Sequence, residues 1–363
     1  MTEARRKGVG RHAAALSVAE RPRRLRVTMR EVARAAGVSI QTVSNVVNGR
    51  SSHMTPETES RVSKVIEELG FRPNPSAQGL RLARTQTLSF IVLDPSPHFL
   101  ADPMTDLFLS GLGEELRERS CGLLISSDIP GVPLQQILEP VVGGRADGAV
   151  IFLSGDPELR QRYLVELRAI DQPCILLQEH GTGENDIPAV CADDRAGSLD
   201  LCRHLISAGH ERIGFLTASH SWSAIEERME GYLTAHLEAG LELQSSLVRR
   251  AGDFTPLGAA AASGDLLDLH PRVTAVMCGN DLIALGVAKA ARDRGLSIPG
   301  DLAITGFDNF DFAAAVDPPL TTVRIPGYEM GRYAANALLE AVDKGDAPVG
   351  RDFSTEVFLR GST

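Results

Sequence analysis

The chain has 363 residues, 43% of them hydrophobic and 23% charged, proportions that exclude wholesale disorder. Its net charge of −10 is unevenly spread: residues 1–85 hold 16 Lys and Arg against 7 Asp and Glu, and the remainder holds 21 against 40. No apolar run approaches the ~20 residues of a membrane-spanning helix. Five cysteines (Cys121, Cys174, Cys191, Cys202, Cys278) without a CxxC pattern suit a reducing cytosol better than a disulfide framework. A soluble cytoplasmic protein is expected, whose basic head suits a polyanion, although surface charge serving solubility would give the same split.

Residues 1–26 carry Arg5, Arg6, Lys7, Arg11, Arg21, Arg23, Arg24 and Arg26 and lack the apolar core of a secretory signal. They read as a disordered basic arm, although a transit peptide or a translation start nearer Val27 or Met29 fits the same residues. From Thr28 the pattern turns helical. Thr28-Met-Arg-Glu31 has the form of a capping box, and Val32, Ala33 and Ala36 share one face of a helix that Gly37 ends. Ser39 caps a second helix with Val43, Val46 and Val47 at helical spacing. Thr55-Pro56 opens a third, whose stripe is Val62, Val65, Ile66 and Leu69 and whose end is Gly70.

Two short helices across Gly37-Val38-Ser39 form a helix-turn-helix pattern, in which the second helix enters the major groove of DNA. Its exposed residues are expected to be Ile40, Gln41, Thr42, Ser44 and Asn45. Gln41 and Asn45 can each pair bidentately with adenine, and Ile40 can pack on a thymine methyl. On spacing alone, the alternative is that they are solvated positions of a small three-helix bundle.

The segments "VTMREVARAAGVSIQTVSNVVNG" and "TPETESRVSKVIEELGFRPNPSAQGLR" strongly resemble the LacI/GalR family of bacterial transcription regulators. The resemblance implies a DNA-binding domain over 27–73, with contacts from Thr28, Ser39 and Asn48 as well as the second helix. It also implies a hinge helix and linker over 74–85, with Asn74, Ala77, Leu80, Arg81 and Arg84 at the DNA. Leu80 matches the family's leucine wedge, which opens a base step in the minor groove. Two departures stand out: Gly79 weakens such a helix by up to about 1 kcal/mol relative to alanine, and Gln78 replaces an arginine common among relatives.

Beyond residue 86, short apolar runs alternate with helical stretches. Strands are expected at 88–93, 122–126, 148–153, 174–177, 213–217, 274–278 and 302–306, and helices at 104–119, 195–208, 224–239 and 282–294. Such alternation predicts parallel sheets covered by helices on both faces, with ligands bound outside the strands' carboxyl ends. The resemblance continues through "RADGAVIF", "LISAGHERIGFLTA", "CGNDLIALGVAKAARDRGLSIPGDLAITGFDN" and "DPPLTTVRIP". It implies a periplasmic-binding-protein-like body of two doubly wound lobes over 86–363. One lobe takes residues 86–190 and 320–346, the other 191–319 and 347–363, and the effector lies between them.

Effector contacts are expected from Asp94, His98 and Phe99 after the first strand, and from Trp222 and Arg228 after 213–217. Phe254, Asn280, Asp281 and Asp308 complete the set. Arg228 matches the family's effector-contacting arginine. Trp222 could be a sugar platform or a packing residue, Asp281 could also cap the helix at Leu282, and Asp308 could stabilise the cleft wall instead. No GxSxG, P-loop or HExxH is present, and His204 and His210 lack a third ligand, so neither catalysis, metal nor cofactor is expected. The reading is a DNA-binding regulator, chiefly a repressor, acting as a homodimer on palindromic operator DNA. A small molecule controls it, with a sugar or sugar acid favoured and a purine the alternative. A solute receptor of the periplasmic type would share the body but not the head.

Overall fold

The computed structural model describes residues 27–50, 54–72, 84–94, 99–127, 132–180, 187–219, 222–251 and 255–363, with Phe99 defined in its backbone only. The expected basic arm and hinge helix lie outside these residues, and with them Asn74, Ala77, Leu80 and Arg81. Two compact units divide the chain at Arg81–Leu82. Among the described residues no helix is long and apolar enough to cross a membrane.

In the first unit, helices α1 (Met29–Ala36), α2 (Ile40–Val47) and α3 (Pro56–Leu69) enclose Val32, Ala33, Ala36, Val43, Val62 and Phe71. Gly37 and Gly70 end α1 and α3 with φ of 65° and 60°, a left-handed backbone that glycine adopts without penalty. Phe71, just past the third helix, closes the bundle from outside its periodic stripe.

The second unit begins with β1 (Thr87–Leu93), α4 (Pro103–Glu118), β2 (Gly122–Ser127), β3 (Gly148–Leu153), α5 (Pro157–Leu167), β4 (Cys174–Leu177) and β5 (Ala189–Ala192). It continues with α6 (Asp194–Ser207), β6 (Ile213–Ala218), α7 (Ser223–Glu238), β7 (Val248–Ala251), α8 (Pro256–Ala262), β8 (Ala275–Cys278), α9 (Asp281–Asp293) and β9 (Ala303–Thr305). Last come β10 (Thr322–Arg324), α10 (Gly327–Lys344), β11 (Arg351–Phe353) and β12 (Glu356–Phe358), with shorter helical turns between some of these. The first lobe's sheet has the order β11-β5-β4-β3-β1-β2, the second lobe's β7-β6-β8-β9, and every pairing within both is parallel.

Burial on both faces explains why these strands read as unbroken apolar runs. Phe90, Val92, Val150 and Ile175 face one core, while Ile91, Leu93, Ala149 and Ile151 face another that includes Leu164 and Leu167 of α5. In the second lobe, Leu216, Val276 and Ile304 meet Ile283, Ala284 and Val287 of α9.

The seven expected strands and four expected helices are all present within a residue or two. The lobe boundaries differ. Residues 351–353, expected with the second lobe, pair with β5 at the edge of the first lobe's sheet. Residues 322–324, expected with the first lobe, pair with β12 in a two-stranded sheet bridged to the second lobe at Thr305–Thr321 and Asp308–Arg324. The chain therefore crosses between lobes at Asp193, at 325–326 and at 354–355.

Helices α4 and α10 touch backbone to backbone. A Cβ on Gly111 would fall 2.0 Å from the Tyr328 carbonyl oxygen, and one on Gly331 would fall 2.3 Å from that of Phe108. Gly111→Ala must push these helices apart and is expected to cost about 1–3 kcal/mol. A lower urea midpoint with an unchanged slope would register that loss; an unchanged midpoint would mean the pair is loosely packed.

Candidate functional site

The head presents a small polar face built by helix capping. The Thr28 hydroxyl accepts from the Glu31 N–H at 3.4 Å and the Glu31 carboxylate accepts from the Thr28 N–H at 2.7 Å, which completes the capping box. These hydrogen bonds from Thr28 hold the Glu31 carboxyl below its ordinary pKa. Ser39 caps α2 by accepting from the Thr42 N–H at 3.1 Å, and its hydroxyl meets that of Thr42 at 2.9 Å.

One turn apart on α2, the Gln41 amide donates to Asn45 Oδ1 at 3.1 Å, which links the two expected base readers. Ile40 is 46% exposed beside them. Ser44, expected on this face, is instead buried at 8%. It falls between Val43 and Val47 on the helix, inside the stripe that faces the bundle. Asn48, exposed at the C-cap, donates to the Ser44 carbonyl at 2.6 Å.

Arg84, expected at phosphates, is held within the second unit. Its guanidinium donates to the Asp343 carboxylate and to the Val342 carbonyl. Both lie in the last turn of α10, where unpaired carbonyls make the helix end attractive to cations.

In the body, both sheets reverse strand order at one point, β1/β3 in the first lobe and β6/β8 in the second, where ligands of such folds bind. Asp94 follows β1 and accepts from the Ser154 hydroxyl, just past β3, at 2.7 Å. Trp222, half-buried, stands at the N-terminus of α7 after β6. Asn280 follows β8 and caps α9, accepting from the Ile283 N–H at 2.9 Å. Asp281 is therefore not the cap. It is fully buried and accepts from the Thr322 hydroxyl at 2.6 Å and the Phe310 N–H at 2.8 Å. His98, Phe254 and the side chain of Phe99 lie outside the described residues.

Arg228 is buried, with 3% of its surface exposed. Its Nε donates to Asp194 at 2.6 Å and its Nη2 to Asp308 at 2.9 Å, its Nη1 donates to the Gly279 carbonyl, and the guanidinium lies 3.9 Å from the Phe307 ring centroid. Asp308 is held at φ 97°, a backbone that a residue with a side chain rarely adopts. Asp193 and Asp194 are adjacent in the chain but serve different partners. Asp193 caps α6 by accepting from the Ala196 N–H at 2.9 Å, and Asp194 turns to Arg228.

The lobes meet through charge. Arg160 of α5 binds Glu179 at 2.9 Å and reaches across to Glu226 of α7 at 2.6 Å. Asp102, which caps α4 in the first lobe, feels the charges of both Asp94 and Arg228. Asp102, Ser154, Arg160, Glu179 and Glu226 escaped the sequence reading, and Asp194 was not among the expected effector contacts. Asp102 alone had a local signal, its place before Pro103.

Burial lifts these carboxyls together. Against the pull of Arg228 it takes Asp194 to about 6 and Asp308 to about 7, and against that of Arg160 it takes Glu179 to about 7. Asp281 reaches about 8 through burial and the neighbouring Asp308 charge.

A helix-turn-helix head followed by two parallel-sheet lobes whose strand ends converge defines a DNA-binding regulator with a periplasmic-binding-protein-like body. The chain belongs to the lacI family of bacterial transcription regulators. Residues 28–74 match the bacterial regulatory proteins of the lacI family, and residues 202–363 match the periplasmic binding protein-like domain. The chain is 33% identical over 327 residues to catabolite control protein A of Priestia megaterium, covering 88% of this chain and 94% of that one. It is 32% identical over 343 residues to the HTH-type transcriptional regulator CelR of Thermobifida fusca, covering 94% and 99%. Among solved structures, a CelR–cellobiose complex aligns with a TM-score of 0.69 at 31% identity, covering 93% of this chain and 100% of that one. The lac repressor dimer bound to operator and the anti-inducer ONPF shares the fold, with a TM-score of 0.79 at 23% identity over 93% and 99%.

Asp281 supplies a pH test. With a pKa near 8 folded and about 3.9 unfolded, the native chain holds a proton that the unfolded chain has lost across that window. Its contribution to stability therefore falls as pH rises and levels off above the folded pKa. Asp281→Asn keeps the shape and removes the titration. Its melting temperature is expected to vary less than the wild type's between about pH 5 and pH 8; parallel curves would show that Asp281 keeps an ordinary pKa.

Proposed function

We propose that this regulator is a cytoplasmic repressor that binds an approximately palindromic operator as a homodimer, its hold on DNA controlled by a neutral sugar between the lobes. It reports its ligand rather than converting it. The observation that carries the ligand class is the state of the two arginines at the lobe junction. Arg160 already faces Glu179 and Glu226, and Arg228 already faces Asp194 and Asp308. Asp94, Asp102 and Asp281 add further carboxyls nearby.

An anionic ligand would find each of these cations already matched by two acids. Sugar hydroxyls, by contrast, can donate to the further acceptor positions that a carboxylate keeps when it already holds one or two hydrogen bonds. Trp222 at the start of α7 offers an aromatic face for the apolar side of a sugar ring. The relative solved with cellobiose supports the same class, and sugar acids and phosphates are correspondingly disfavoured. On the DNA side, the Gln41–Asn45 pair supports adenine recognition, and two heads related by a two-fold axis would read a site of matching symmetry.

Selection from a random duplex pool, followed by anisotropy titrations, tests the reading. An inverted-repeat site bound by two chains is expected, with neutral mono- or disaccharides changing its affinity. A single half-site bound by one chain would remove the homodimer. A response confined to sugar acids or phosphates would remove the neutral ligand.

Asn45→Ala is expected to relax preference at one base position at a cost of roughly 1–3 kcal/mol. An equal loss on all sequences would place Asn45 among the phosphate contacts.

A further inference from the structure

Beside the charged junction, three strands bring a nitrogen, a sulfur and an oxygen donor together. Cys191 lies in β5 and Asp352 in β11, and the two are register partners in adjacent parallel strands, so their side chains leave the sheet on the same side. Their neighbours Val190 and Ala192 face the opposite way, into the apolar core. His180 follows β4 by three residues. The left-handed backbone of Gln178, at φ 57°, turns the chain there, and the Gln178 side chain fastens it by accepting from the Ala192 N–H at 3.1 Å. The ligating atoms of His180, Cys191 and Asp352 consequently lie within 4.8 Å of one another. From the second lobe, the Glu227 carboxylate of α7 reaches His180 Nε2 at 3.2 Å.

We propose that His180, Cys191 and Asp352, joined by Glu227 from the second lobe, form a zinc site that ties the lobes together at their hinge. The donor set is the argument. One imidazole, one thiolate and two carboxylates match the borderline-soft, four-coordinate preference of Zn²⁺, whereas calcium and magnesium take oxygen ligands. Tetrahedral bonds of about 2.0–2.3 Å place neighbouring donors roughly 3.3–3.7 Å apart. The His180, Cys191 and Asp352 donors, within 4.8 Å of one another, therefore need to draw in by only about 1 Å, and Glu227 joins them from its place beside His180.

Burial fits as well. Cys191 is 1% exposed, while His180 and Glu227 retain 44% and 22% of their side-chain surface, which leaves an entry path from one side. Two carboxylates against a single imidazole also leave an excess of negative charge that a divalent ion would neutralise. Because three ligands belong to the first lobe and one to the second, the ion would hold the lobes in the arrangement described here independently of any sugar.

The test uses the full-length protein stripped of metal and titrated with Co²⁺, then with Zn²⁺. One Co²⁺ per chain is expected, with the visible bands of tetrahedral coordination and a thiolate-to-cobalt charge-transfer absorption, both displaced by Zn²⁺. Cys191→Ser should abolish the charge-transfer band, and Cys121→Ser should leave it intact. His180→Ala alters a half-exposed position and tests the site without disturbing the core; it should weaken Zn²⁺ binding at least tenfold. Failure to bind stoichiometrically, a thiolate band that survives Cys191→Ser, or full affinity in His180→Ala would each overturn the site. Full affinity in Glu227→Gln would overturn the bridge between lobes.

Discussion

One buried guanidinium organises the body of this regulator. Arg228 is satisfied by groups 34, 51 and 80 residues away in the chain: Asp194 at the first crossing, Gly279 at the end of β8 and Asp308 beyond β9. Burying a charge costs several kcal/mol unless its partners surround it, and removing one partner strands the others. The network therefore fixes the relative positions of α6, α7, β8 and the left-handed turn at Asp308 as one unit. Phe307 under the guanidinium and Asp281 beside Asp308 extend that unit to the base of α9.

That constraint shapes what the junction can bind. Arg228 is the arginine that family resemblance assigns to the effector, yet its donors are directed at the protein's own oxygens. On the proposed reading, its influence on a ligand would run through the carboxylates it holds in place, Asp194 and Asp308. Acidic groups lifted by burial, rather than a free cation, then define the chemistry of the site.

Much of the fold was legible in the sequence, and for clear reasons. Strands buried on both faces leave apolar runs of fixed length, and β1, β3 and β4 are of this kind. Capping residues mark α1, α2 and α3 in the head. The edge strands β7 and β11, with Arg249, Arg250, Arg351 and Asp352 in them, carry no such run, and the lobe boundary at 351–353 was misplaced on that account. In the head, Ser44 is polar yet lies within the buried stripe, so residue type misled where helical phase would have decided. The charged junction was hardest to read. Arg160 and Glu226 are 66 residues apart, and a pairing at that distance leaves no periodic trace.

Two of the three crossings between lobes, at Asp193 and at 354–355, lie side by side. Asp193 donates its N–H to the Phe353 carbonyl at 2.9 Å, and its own carbonyl accepts from the Thr355 hydroxyl at 3.1 Å. A spine of this kind permits the two covers of a book to turn about one axis and resists most other motions. On the proposed reading, whatever fills the space between the covers would be translated into a single angle. The chemistry of recognition can then diverge on the facing surfaces while the signal leaving the body keeps one form, and a new ligand needs only to close the same book.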